Sequence, residues 1–159
     1  MITLYHGSNV SIKQIDLSMS KPDKDFGQGF YLTDIKEQAF DMAKRRYRIL
    51  GEGEPIVTAF SFDETLLEKN LLNVKRFESP TNEWAEFILK NRHASRNNFH
   101  HGYDIVIGPI ADDGVAFQLG RYERGLITLE TLADELKFRK LNRQYYFGTK
   151  RAIQYLRKL

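Results

Sequence analysis

Three short stretches carry the side chains best suited to chemistry: LYHGS at Leu4–Ser8, GQGFYLTD at Gly27–Asp34 and QYYFG at Gln144–Gly148. His6 offers an imidazole that both donates and accepts hydrogen bonds near neutral pH. Tyr31 offers the face of an aromatic ring, which attracts cations. Gln144 offers an amide that can hydrogen-bond but can neither take a proton nor supply a full negative charge. Taken singly, each has an ordinary explanation: a structural histidine at a strand end, a core-filling tyrosine, an exposed edge glutamine. The informative feature is that they fall in three separate strand-like segments, two of them with glycines alongside. Gly7, Gly27 and Gly29 allow the backbone to turn sharply or to approach a ligand closely.

These residues must be held by the elements that the pattern predicts. Ile2–His6 and Phe30–Thr33 read as short strands, and Ile56–Phe62 alternates as a strand should. Asp34 is expected to cap a helix, with Glu37 three residues on completing a capping box. That helix carries Ile35, Ala39, Met42 and Ala43 at helical spacing and stops before Gly51. Leu71–Phe77 is a weaker strand. Thr81 is expected to cap a helix that buries Trp84, Phe87, Ile88 and Leu89. Tyr103–Ile110 is a near-continuous apolar run ending in Gly108-Pro109, the pattern of a central strand. Helices are expected over Asp113–Tyr122 and Leu129–Leu141, then a strand at Gln144–Gly148 and a helix over Thr149–Leu156 capped by Thr149. Strands and helices mix without regular βαβ alternation, which predicts the α+β class.

Composition narrows the function classes. The 159 residues amount to one domain, 1–159, and 42% hydrophobic residues suffice for a core. The absence of cysteine excludes disulfides, thiolate metal sites and cysteine nucleophiles and is compatible with a reducing cytoplasm. No run approaches a membrane span and MITLYHG lacks the features of a secretory signal, so a cytoplasmic protein without a membrane partner is expected. The net charge of +3, with basic residues clustered at Ala43–Arg48, permits phosphate-bearing partners but does not demand them, and solvated helix faces are the expected explanation. A nucleic-acid surface around Arg45 and Arg46 ranks last, because aromatics do not interleave with the patch. His93, His100 and His101 lack the spacing of a metal site, and none is predicted. Trp84 reads as core, and Arg121 and Arg124 as a solvated helix end that could also reach a pyrophosphate. Gly27-Gln28-Gly29 leads into a strand without a third glycine, unlike a dinucleotide-binding Rossmann turn, so hydride transfer is not expected.

The order His-Gly-Ser, then Gly-x-Gly-x-Tyr-x-x-Asp, then a late strand bearing an acid or amide resembles the ADP-ribosyltransferase superfamily. More narrowly it is similar to the His-Tyr-Glu branch that holds diphtheria toxin and the poly(ADP-ribose) polymerases. LYHGS and GQGFYLTD match the polymerase-type motifs, and QYYFGTKRAIQYL resembles the toxin pattern, with Gln144 where the glutamate would stand. YDIVIGPIADD and EWAEFILKNR are similar to an uncharacterised bacterial family of ADP-ribosyltransferase-like domains, so the likeness covers most of the chain.

The resemblance implies a split, mixed and antiparallel sheet core with flanking helices, and NAD as substrate. Gly7 would present its N–H and C=O to the nicotinamide carboxamide, His6 would bond an adenosine-side ribose hydroxyl, and Tyr31 would stack on the nicotinamide. Ser8, Gly27, Gly29 and Phe40 would complete the dinucleotide site. Gln144 would occupy the position of the catalytic glutamate, giving a catalytic set of Gln144, Tyr31 and His6. Ala39 and Met42 replace the serine and second stacking aromatic of the polymerases, which makes chain elongation the least expected activity. The expected function is therefore mono-ADP-ribosylation of a macromolecular acceptor, protein or nucleic acid, in a toxin-like or stress role with an antitoxin-like partner. Glu83, Asp112 or Asp113 are candidates to stand in for the missing carboxylate. The alternative is a catalytically silent module that binds NAD or a related nucleotide, or docks a partner.

Overall fold

In the computed structural model, which describes residues 1–159, the first strand β1 spans Ile2–Ser8 and is followed by a 3-10 turn at Leu17–Met19. Strand β2 (Phe30–Leu32) leads into helix α1 (Lys36–Leu50), and strand β3 (Ile56–Phe62) into a second 3-10 turn at Glu64–Glu68. Strand β4 (Val74–Arg76), helices α2 (Asn82–Arg92) and α3 (Ala94–Asn97), and strand β5 (Ile105–Pro109) follow. The chain continues through α4 (Asp113–Glu123), α5 (Leu129–Leu136), β6 (Arg143–Phe147), α6 (Lys150–Ile153) and β7 (Arg157–Lys158). No helix is long and apolar enough to cross a membrane.

The result is a mixed α and β protein with two sheets. One has the order β1-β3-β7 and is antiparallel; the other has the order β2-β6-β5-β4, with only the β4–β5 pair parallel. Side chains alternate across a strand, so each sheet sorts its residues onto two faces. Leu4, Phe60 and Phe62 meet Phe30, Leu32, Ile105 and Phe147 to fill the core between the sheets. On the opposite face of the larger sheet, Val106 and Tyr146 join Trp84, Ile88, Val115, Leu119, Leu132 and Leu136 beneath α2, α4 and α5. Both faces of β5 are covered, and every residue of it is buried, as its uninterrupted apolar run requires.

Helix α1 packs on β1 by close approach rather than by large side chains. Its buried residues are Ala39 and Ala43, and a Cβ built on Gly7 would lie 1.8 Å from the Ala39 carbonyl oxygen. Met42, expected in the core, is instead 53% exposed, because the small contact stripe leaves no depth for it. The cap also differs from the sequence expectation. Ile35 occupies the N-cap position without a side-chain bond, and Thr33 Oγ1 accepts from Ile35 N–H at 3.2 Å in place of Asp34. At the other end Gly51 takes the left-handed conformation (φ 71°) that terminates the helix, as expected.

Thr81 and Thr149 do cap α2 and α6. Phe87 and Leu89 are only partly buried, while Trp84 is fully buried and donates its indole N–H to the Pro109 carbonyl at 3.1 Å. The helix expected to reach Leu141 ends at Leu136, and the last helix is a single turn followed by β7, which pairs with β3. The weak strand over Leu71–Phe77 is pared to Val74–Arg76. Below it the carboxylate of Asp104 gathers the Asn73 N–H (2.7 Å), the Thr149 hydroxyl (2.6 Å) and the Arg151 guanidinium, tying the start of β5 to the start of α6.

Gly7→Ala should lower the free energy of unfolding by about 2–3 kcal/mol, because the added methyl must displace backbone rather than a flexible side chain. Urea denaturation checks this, and a change below about 0.5 kcal/mol would mean that α1 slides away freely.

Candidate functional site

The two sheets touch edge to edge at one rung. Tyr5 N–H donates to the Thr33 carbonyl at 2.7 Å and Thr33 N–H returns to the Tyr5 carbonyl at 3.0 Å. Backbone groups alternate sides along a strand, so the N–H and C=O of Gly7, two residues on, face the same side as those of Tyr5. There the pairing with β2 does not continue. The imidazole of His6 takes its place, with Nδ1 on the Tyr31 carbonyl at 2.8 Å and the ring stacked on Phe30 at 4.4 Å between centroids. Since a carbonyl only accepts, Nδ1 carries the proton, and Nε2 is left as an acceptor with no partner in the protein.

Beyond that rung lies a slot between β1 and β2. Gly7 flanks it on the β1 side, where Ala39 of α1 packs against the glycine, and Tyr31 of β2 lies opposite. Burial holds the pKa of His6 below its usual 6.5; the bond to Tyr31 opposes this, while the positive charges of Lys24 and Arg46 reinforce it. Lys24 also places its ammonium 4.9 Å from the centroid of the Tyr31 ring, so the ring already exercises its affinity for a cation.

Tyr31 is committed at its hydroxyl. It accepts from Phe26 N–H (3.0 Å) and donates to the Gly27 carbonyl (2.6 Å), and burial raises its pKa well above the usual range. It is therefore suited to binding by its ring and not to moving a proton. Gly27 has φ 93° and Gly29 lies where a Cβ would be 2.2 Å from Tyr146, so both glycines are required for the loop to lie flat on the sheet. Tyr146 donates from its hydroxyl to the Gln28 carbonyl at 3.0 Å, a second latch on the same loop.

Tyr31 pairs directly with Tyr146 across β2 and β6, and Gln144 lies two residues from Tyr146 on the same face. Tyr31 and Gln144 are thus diagonal neighbours, separated by about 7–8 Å in such pairs. Gln144 Nε2 reaches only the Pro109 carbonyl, at 3.5 Å. Of the carboxylates expected to stand in, Glu83 is paired with Lys75 and Asp112 caps α4 at Val115, whereas Asp113 lies in the exposed first turn of α4 without a partner.

The structure therefore brings together His6, Gly7, Gly27, Gly29, Tyr31 and, one rung further on, Gln144. Ser8 lies at the end of β1 and makes no side-chain hydrogen bond. Phe40 does not join them. It is 45% exposed on the outer side of α1, with Lys44 over its ring at 5.0 Å, because only the Ala39–Ala43 stripe faces β1. The expected second stacking aromatic is thus absent from the slot. Arg121 is bonded to Gln118 on α4 and His93 is paired with Glu123. Lys24, Arg46 and Tyr146 were not singled out for the site by sequence. Tyr146 was legible in principle, standing two residues from Gln144 on one strand face.

Fold and site together define a mixed α/β protein whose two sheets part at an edge slot lined by His6, Gly7 and Tyr31. The chain belongs to the family described as Protein of unknown function (DUF3990), whose model matches residues 2–158. No curated protein and no solved structure matches it.

The depressed pKa of His6 fixes the sign of a pH effect. The unfolded chain takes up a proton near pH 6.5 that folded His6 resists, so stability is present above that pH and falls as pH drops below it. His101, also depressed by burial, acts in the same direction. His6→Asn can still donate to the Tyr31 carbonyl but does not titrate. Urea unfolding between pH 7.5 and 5 should show a shallower loss of stability in this variant than in the parent, and identical slopes would mean that His6 is solvated.

Proposed function

We propose that the chain is an NAD-dependent mono-ADP-ribosyltransferase acting on a macromolecular acceptor, built on an ADP-ribosyltransferase-like split sheet. The observation that carries this reading is the slot itself. The unpaired N–H and C=O of Gly7 match the acceptor and donor of a carboxamide, and the Tyr31 ring beside them suits a cationic pyridinium. His6 Nε2 is poised to accept from a ribose hydroxyl. Lys24, over the Tyr31 ring, and Arg46 both exert a positive field at His6, which favours an anionic group such as a pyrophosphate.

The reaction breaks the bond between nicotinamide nitrogen and ribose C1′, and the electron pair leaves with the neutral nicotinamide. A lone pair of the acceptor then forms a bond to C1′ and its proton passes to water. Positive charge grows on the ribose in the transition state, as in glycoside hydrolysis. An anion at residue 144 would stabilise that charge; the Gln144 amide supplies only its dipole. Loss of one such preorganised electrostatic contact slows a reaction by about 10²–10³-fold.

A second reading, a silent module that binds NAD without turning it over, is favoured by the same amide and by the commitment of Glu83 and Asp112 elsewhere.

Incubation with NAD labelled in the adenylate part, with nicotinamide release measured alongside, separates the two. Slow release with label on an acceptor, abolished by Tyr31→Ala and His6→Ala and accelerated about 10²-fold by Gln144→Glu, is expected of the transferase. Tyr31→Phe keeps the ring but loses the loop latch, so it should retain most of the NAD affinity. Saturable binding with no release in the parent or in Gln144→Glu supports the silent module, and absence of binding by calorimetry removes both.

A further inference from the structure

A cleft of about 460 Å³ opens on the far side of the Gly27 peptide from the slot, between the Leu17–Gln28 segment and the end of α2. Its depth is set by Gly27, Asn91, His101 and Tyr146, and its mouth by Leu17, Pro22, Phe99 and His100. That volume lies in the range of small-molecule sites, about 300–1,000 Å³.

The deep end is polar and incompletely satisfied. Asn91 is 1% exposed, and its Nδ2 donates to the Phe87 carbonyl at 2.8 Å, one turn back along α2. That bond fixes which way the amide points, because a carbonyl cannot accept from Oδ1. Oδ1 is therefore directed at the cleft and has no partner in the protein. A Cβ placed on Gly27 would lie 3.2 Å from Asn91 Oδ1, 3.6 Å from His101 Nε2 and 3.7 Å from the Tyr146 hydroxyl, so three polar atoms converge on one point.

Their hydrogen-bond roles determine what that point accepts. His101 Nε2 donates to the Phe26 carbonyl at 2.8 Å while its Nδ1 accepts from Tyr103 N–H at 3.0 Å, so the ring is neutral and fully occupied. Tyr146 gives its proton to the Gln28 carbonyl and keeps its lone pairs. What the cleft offers at that point is two acceptors, Asn91 Oδ1 and Tyr146 Oη, while the Asn91 amide nitrogen keeps one hydrogen beyond its bond to Phe87. The complementary ligand group is a donor with two hydrogens. A water would satisfy that point alone, but the cleft has room for more, and its lining mixes apolar Leu17, Pro22 and Phe99 with polar Ser18, Asp23 and Ser95, which suits a ring with both apolar faces and polar edges.

We infer that this cleft binds a planar heteroaromatic ring carrying an exocyclic amino group, a nucleobase of the adenine kind, with the amino group donating to Asn91 Oδ1. The site is separate from the β1–β2 slot and stands whether or not that slot takes NAD. The two share the Gly27 peptide, whose carbonyl accepts from Tyr31 on one side while its Cα faces the cleft on the other.

Adenosine and purine riboside, the same nucleoside without the amino group, are titrated into the full chain and followed by two-dimensional NMR. Adenosine should shift the Asn91 side-chain amide and the Gly27 backbone signal and bind about tenfold more tightly than purine riboside, since the acceptors are left unpaired by the latter. Asn91→Leu should remove that preference; because it also loses the Phe87 bond, its melting temperature is measured alongside. Phe99→Ala, at a partly exposed position, should weaken both nucleosides alike. Equal affinities in the parent chain, shifts confined to Gly7, His6 and Arg46, or no shifts at all would each overturn the inference.

Discussion

A single rung of backbone pairing, Tyr5 with Thr33, joins the two sheets, and the geometry of the candidate site follows from its being a single rung. Had β1 and β2 continued to pair, Gly7 would face Tyr31 backbone to backbone and no slot would exist. Two contacts prevent that. The Ala39 carbonyl sits against Gly7 so closely that α1 determines where β1 runs, and the His6 imidazole satisfies the Tyr31 carbonyl that a continuing ladder would have used. A buried carbonyl without a partner is costly, so the histidine is a structural replacement for the missing rung as well as a candidate ligand contact. Both roles belong to one side chain because its two nitrogens face different ways.

The glycine loop depends on a related economy of polar groups. Residues 26–28 lie over the helix-side face of the larger sheet, where free backbone groups would be buried. Two phenols, Tyr31 and Tyr146, stand opposite each other on β2 and β6, and each fixes a loop carbonyl with its hydroxyl. Their rings meet edge to face at 5.3 Å, a favourable aromatic arrangement. The consequence for chemistry is a division of labour within Tyr31: the hydroxyl is structural, and the ring, which already carries Lys24 over it, is the part suited to a cation. Charge is sorted in the same segment, since Asp25 is neutralised by Arg92 at 2.8 Å while Lys24 is left over the Tyr31 ring.

The elements that sequence located well are those set by strong local signals. Gly51 ends α1, Thr81 and Thr149 cap their helices, and the apolar run before Pro109 is a buried inner strand. The misplacements occurred where tertiary contact overruled local preference. Asp34 has the chemistry of a cap, yet Thr33, fixed by its rung with Tyr5, is better positioned to supply the oxygen. Met42 has the spacing of a core residue, but a helix that packs through alanines against a glycine admits nothing larger. The α5 pattern continues to Leu141 in apolar spacing, whereas the helix ends at Leu136.

For the candidate site, the sequence by itself determined which residue types stand at three strand ends: an imidazole, a phenol and an uncharged amide, each an invariant of the covalent chain. It also determined that residue 144 carries no charge and that no thiol is present. Only the tertiary structure decided how they meet. It set Tyr31 and Gln144 on one sheet face, swung Phe40 into solvent, laid Lys24 over the Tyr31 ring, and turned Asn91 toward an open cleft. The physical reason is that residue chemistry is local, whereas strand register, sheet splitting and helix contact depend on packing between segments distant in sequence.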